Sequence, residues 1–156
     1  MKITFVCVGS VKKSSIGEAA SEYLKRIKRY APAEAVEVKD EGASPKVPRE
    51  DVLRKEGQRI LSALGQGGCT VVLADTGSPM TSQGLSKFIE GLMNQGRKNV
   101  SFVVGGAYGL HKDVFAAADH VLSLSAMTLP HDLARLFLYE QVYRAFTIMR
   151  GEPYSH

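Results

Sequence analysis

Residues 99–131, NVSFVVGGAYGLHKDVFAAADHVLSLSAMTLPH, carry the reading that decides the fold. A β-branched and aromatic run, NVSFVVG, breaks at two glycines, passes through a short helical piece, enters a second apolar run, DHVLSLS, and ends in the turn SAMTLPH. Neither run keeps a strict apolar–polar alternation over its whole length, and the strands of the chain taken together are nearly all apolar. Strands of that kind are buried on both faces, and strands joined through helices pair in parallel.

The same alternation extends outward in both directions. Residues 2–8 form a strand ending at Gly9, followed by a helix from Ser14 or Ser15 whose stripe is Ile16, Ala19, Ala20, Tyr23, Leu24 and Ile27. Lys25, Arg26, Lys28 and Arg29 crowd its end, where cations suit the helix dipole. A short strand, AEAVEVK, precedes the loop at residues 40–48, DEGASPKVP, which reads as the natural mobile segment. A second helix is predicted from Arg49 to Leu64, with Val52, Leu53, Ile60 and Leu61 inward, stopped by GQGG. The strand CTVVLAD then meets a predicted turn, TGSPM, and Thr81 or Ser82 caps a third helix. The last helix runs from His131 to Met149. These elements predict an α/β protein: one domain over residues 1–156, with a mostly parallel five- or six-stranded sheet and helices on both faces.

Composition agrees with one core. A chain of 156 residues that is 44% apolar can bury a sizeable interior without a disulfide or metal staple. Cys7 and Cys69 each sit in an apolar run with no second Cys or His at ligand spacing, so both read as buried reduced thiols and no metal is expected. The N-terminal apolar run is too short for a signal peptide or membrane span, which points to the cytosol. Net charge is +4; residues 1–100 hold 16 basic and 11 acidic side chains, whereas residues 101–156 hold 4 and 5. The basic surplus admits a polyanionic partner without requiring one.

In parallel sheets ligands sit beyond the carboxyl ends of the strands. Three segments qualify: LADTGSPM, GGAYGL and LSLSAMTLPH. GGAYGL allows close backbone approach to a ligand, or forms a simple tight turn; it lacks the G-x-G-x-x-G spacing and no Walker lysine follows. LSLSAMTLPH offers backbone groups for a purine edge, with Met127 and Leu129 to cover its faces, and Ser125 lacks a nucleophile elbow. The last helix is apolar nearly all round, which fits either a subunit interface or deep insertion into its own core. Glu140 and Arg144 stand at i, i+4 as a surface pair, while His131 and Arg135 are predicted to face the ligand rim. The tail RGEPYSH reads as fraying, His111 as a helix-start residue and His120 as a surface histidine.

Five blocks together resemble the RlmH family, small SPOUT-class methyltransferases: MKITFVCVG, KEGQRIL, FVVGGAYGLHKDV, LSLSAMTLPHDLAR and EQVYRAFTIMRGEPYSH. The resemblance covers essentially the whole chain. It implies S-adenosylmethionine as methyl donor, N3 of a pseudouridine in large-subunit (23S) ribosomal RNA as acceptor, a homodimer, and a C-terminal trefoil knot. By position it carries the cofactor to Leu73, Gly105, Leu124, Ser125, Ala126, Met127, Thr128 and Leu129. His131, Arg135 and Arg144, with Tyr154 and His156 of the tail, are expected to orient the base and favour its deprotonated form. The donor methyl is already activated, so no metal is required. Lys12, Lys13, Lys25, Arg26 and Arg29 are expected on RNA phosphates, and the small size implies recognition of the assembled ribosome. The rival readings are a non-catalytic ribosome-associated or RNA-binding protein of this fold, and a flavodoxin-like nucleotide protein.

Overall fold

The computed structural model describes residues 1–11, 14–42, 46–65 and 67–154. Its elements, in chain order, are β1 (Lys2–Val8), α1 (Ser15–Ile27), β2 (Ala33–Val38), α2 (Arg49–Ala63), β3 (Cys69–Pro79), α3 (Ser82–Asn94), β4 (Asn99–Val104), α4 (Lys112–Ala116), β5 (His120–Ser123) and α5 (His131–Met149). The five strands form one sheet, in the order β2-β1-β4-β3-β5, and every pair is parallel.

The largely apolar central strands have the cause expected of them: helices cover both faces of the sheet. Successive strand side chains point to opposite sides, so Ile3, Phe5, Cys7, Phe102 and Val104 join the core formed with α1, α3 and α5. Val6, Val8, Val72 and Val103 join a smaller core with Ile60 of α2 and Val114 of α4. Both cysteines are buried free thiols. Thr81 is the residue that caps α3, its hydroxyl accepting from the Gly84 N–H at 3.0 Å, and His111 caps α4. No described helix is long and apolar enough to cross a membrane.

Helix α5 lies in the larger core, and Leu138, Tyr139, Val142, Ala145 and Phe146 are buried there. Deep insertion therefore accounts for most of its apolar surface. Leu133 and Phe137 remain about two-fifths exposed, at 41% and 42%.

One element departs from expectation. TGSPM is not a turn that ends the third strand. β3 pairs Leu73 with Leu122, swells outward, and resumes with Ser78 again opposite Leu122 and Pro79 opposite Ser123. Gly77 makes the return possible, because a Cβ there would lie 2.6 Å from the Leu122 carbonyl carbon and 2.8 Å from the Ser123 nitrogen. Backbone meets backbone with no room for a side chain. We expect Gly77→Ala to lower stability by about 1–3 kcal/mol, the usual cost of overpacking, read as a lower urea midpoint.

Candidate functional site

Because the strands all run the same way, the segments leaving β3, β4 and β5 emerge at one rim. There they enclose a cavity of about 990 Å³. Its walls are Leu73 to Thr76 from the swelling of β3, Val104 to Leu110 after β4, and Leu124 to His131 without Ala126 after β5. Arg49 at the start of α2 also reaches it. Of the eight expected cofactor residues, seven line this one cavity; Ala126 points elsewhere and is exposed.

Local chemistry shapes each wall. After β4 the chain makes a tight turn in which the Gly109 N–H donates to the Gly106 carbonyl at 3.0 Å. Gly109 has φ of +86°, a conformation that favours glycine. A Cβ on Gly105 would come within 2.7 Å of the Gly109 carbonyl oxygen. Of the two alternatives open in the sequence, the tight turn is formed, and its front lines the cavity. After β5, Ser125 accepts from the Met127 N–H at 2.9 Å, and Ser123 donates to the Ser125 carbonyl at 3.0 Å. Those short bonds use the hydroxyls to shape the loop. Leu124, Met127 and Leu129 provide its apolar lining, and Met127 is 77% exposed.

The expected catalytic residues do not gather. His131 lies on the cavity wall, with Nε2 2.9 Å from Asp132 Oδ1, an approach without hydrogen-bond geometry that leaves this oxygen buried and without a hydrogen-bond partner among the described residues. Arg135 turns away from the rim, contrary to its predicted facing. It is 2% exposed and donates to Glu37 Oε1 and to the Gly9 carbonyl, both at 2.9 Å. Gly9, with φ of +79°, ends β1, so this guanidinium ties the exits of β1 and β2 to the start of α5. Beside it, burial pushes up the Cys7 thiol and the Tyr139 hydroxyl.

Arg144 lies farther along α5, roughly 20 Å from His131 at a helical rise of about 1.5 Å per residue. Its Nε donates to Glu140 Oε1 at 2.9 Å, and its guanidinium sits 4.8 Å from the Tyr154 ring centre. The Tyr154 hydroxyl reaches Glu140 and Tyr23, each at 3.2 Å. The pair read as an ordinary surface contact is part of a half-buried cluster at the far end of α5, and burial holds the Tyr154 hydroxyl protonated well above its usual range. The tail is anchored there up to Tyr154, and Tyr30 donates to Glu152. That carboxylate pushes the Tyr30 hydroxyl up to about 12. His156, Lys12 and Lys13 lie outside the described residues. Of the other expected phosphate contacts, Arg26 lies over the rings of Tyr23 and Tyr143, at 5.4 and 5.8 Å.

Sequence reasoning passed over Arg49, Asp75 and Tyr108, which line the cavity, and Glu56, which stands behind it. Asp75 and Tyr108 fall in segments chosen for the rim without being singled out there, and Glu56 left a separate signal. It sits four residues from both Val52 and Ile60, on the stripe that α2 buries.

Comparison with known proteins agrees with this geometry. A family model described as "Predicted SPOUT methyltransferase" matches residues 1–156. Proteins called ribosomal RNA large subunit methyltransferase H from Shouchella clausii and Halothermothrix orenii are 44% and 43% identical, each over 99% of both chains. Among solved structures, a methylase family protein from Haemophilus influenzae superposes with a TM-score of 0.58 at 11% identity, covering 99% of this chain and 70% of its own. A Legionella pneumophila protein assigned as a methyltransferase, solved with bound SAM, gives 0.51 at 12% identity, with coverage of 91% and 65%.

Replacing Arg135 with Met removes two charged hydrogen bonds while keeping an apolar stem in the core. We expect a loss of about 2–3 kcal/mol, read from chemical denaturation.

Proposed function

The chain belongs to the SPOUT methyltransferase family, and from that premise we propose that it methylates large-subunit ribosomal RNA with S-adenosylmethionine. The observation that carries the reading is the convergence of the β3, β4 and β5 exits on one cavity, at the three places the resemblance assigns to the cofactor. The residues fit that molecule. Gly105 leaves a cradle that a Cβ would fill, Leu124, Met127 and Leu129 offer apolar cover, and about 990 Å³ is ample for a ligand of this size.

When bound, the cofactor supplies a methyl group already activated on a sulfonium. The protein must then align the acceptor for in-line attack and favour its deprotonated form. With N3 of a pseudouridine as acceptor, that means loss of the imino proton. Of the four expected catalytic residues that the structure describes, His131 lies on the cavity wall of its own chain. Arg135 acts by position, holding the β1 exit against α5.

Arg144 and Tyr154 lie too far along α5 to serve the cavity of their own chain, and this supports a homodimer in which they serve the partner's. His156 is assigned to the same composite site on resemblance alone. Exposed Leu133 and Phe137 on α5, with Met80 and Met127 nearby in the chain's fold, supply apolar surface for such contact. The resemblance further implies the trefoil knot, the cytoplasm as compartment and the assembled ribosome as target. Lys25, Arg26 and Arg29 would meet RNA phosphates.

Nucleoside mass spectrometry after incubation with S-adenosylmethionine should show methylated pseudouridine from ribosomes and little from free RNA; unmodified ribosomes would reject the reading. Calorimetry should show S-adenosylmethionine binding, and Gly105→Val should abolish it. Phe137→Glu should shift light scattering to single copies and cut methylation by at least about tenfold, since a charge at an apolar interface centre is poorly tolerated.

A further inference from the structure

The turn at Gly105–Gly109 is backed on its far side by α2. Two contacts hold its later part and the chain just beyond it: Arg49 Nη2 donates to the Tyr108 carbonyl at 3.1 Å, and Glu50 Oε1 lies 3.1 Å from Nε2 of His111, the cap of α4. Behind its first half stands Glu56, 4% exposed. One carboxyl oxygen, Oε1, accepts from the Glu41 N–H at 3.0 Å. The other, Oε2, is buried without a hydrogen-bond partner among the described residues. A Cβ on Gly106 would lie 2.8 Å from Oε2 and 3.0 Å from Val8 Cγ1, so the unpaired oxygen abuts the back of the turn whose front lines the cavity.

A buried carboxyl oxygen without a donor is costly, and such groups normally find one. The backbone against Oε2 is the part of the turn that Arg49 and Glu50 leave unpinned, and residues 105 and 106 lack the side chains that would hinder its rotation. We propose that Glu56 is a positioning residue for this turn: filling the cavity rotates the Gly105–Ala107 backbone so that one of its N–H groups donates to Glu56 Oε2. The inference rests on the reading of the cavity as an S-adenosylmethionine site.

Proton linkage follows. In the free protein burial pushes the Glu56 carboxyl above its ordinary range. Asp40 and Glu41, from the segment after β2, oppose its ionisation as charges, and Arg59 of α2 favours it. Arg59 and Lys55 also bind Glu41 and hold that carboxyl low. β1 and the turn present Val8 and Gly106, neither of them titratable. A donor gained on binding lowers the Glu56 pKa, so binding releases a proton and affinity rises with pH until the carboxyl of the free protein is ionised.

Calorimetry with S-adenosylmethionine on the full chain, in buffers of different ionisation enthalpy between about pH 5 and about pH 8, tests this. The wild type should release protons, with affinity climbing by up to about tenfold per pH unit in part of that range. Glu56→Gln keeps an acceptor for Glu41 and faces the turn with a donor instead. It should bind roughly tenfold more weakly, lose the proton release, and melt at or above the wild-type temperature, because a buried acid is gone. Equal affinity in the variant, or wild-type binding without proton release, overturns the proposal. A wild type that does not bind S-adenosylmethionine overturns the cofactor reading itself, and this inference with it.

Discussion

Everything at the rim depends on one close approach, the backbone of Gly77 against that of Leu122 and Ser123. A parallel strand that leaves its neighbour after Leu73 and returns at Ser78, opposite the same residue, must put the intervening chain somewhere. The sheet and its covering helices occupy the interior, so Ala74, Asp75 and Thr76 go outward and become a cavity wall. The returning segment also prolongs the pairing of β5 with β3 through Ser123, and from there the chain turns into the second wall. The contact at Gly77 thus extends to the two walls the common frame that the pairing of Val71–Leu73 with β5 begins.

Helix α5 shows how one element serves core and site at once. Its first residue stands on the cavity, its middle is buried against the sheet, and its C-terminal half carries Glu140 and Arg144, which cluster with Tyr154 of the tail. Burying Arg135 in such a helix is costly unless its charge is paired. Glu37 and the Gly9 carbonyl supply the pairing, and thereby fix the start of α5 to the exits of the two strands beside it. The charge that stabilises the junction is also what keeps His131 in place relative to the sheet.

Glu56 and Arg135 are both long polar residues on buried helix stripes. Their surroundings differ. Arg135 donates to Glu37 and to the Gly9 carbonyl, whereas one oxygen of the Glu56 carboxyl has no hydrogen-bond partner among the described residues and lies behind the turn after β4. Spacing along a helix can say that a polar group is buried. Whether it is satisfied depends on strands and loops distant in the chain.

The sequence alone determined the succession of strands and helices, the parallel sheet and the rim where the cavity lies, since largely apolar runs and glycine stops reflect burial and chain direction. It also marked Thr81 or Ser82 as the cap of α3 and His111 as a helix-start residue, because capping needs only the next few residues. TGSPM misled for the same local reason: Gly, Ser and Pro together read as a turn, and only β5 lying alongside makes them strand. Tertiary structure alone decided that Arg135 turns inward, that Arg144 and Tyr154 cluster away from the cavity, and that Glu56 backs it. Each of these depends on which distant groups share a small volume, and chain spacing does not encode that distance.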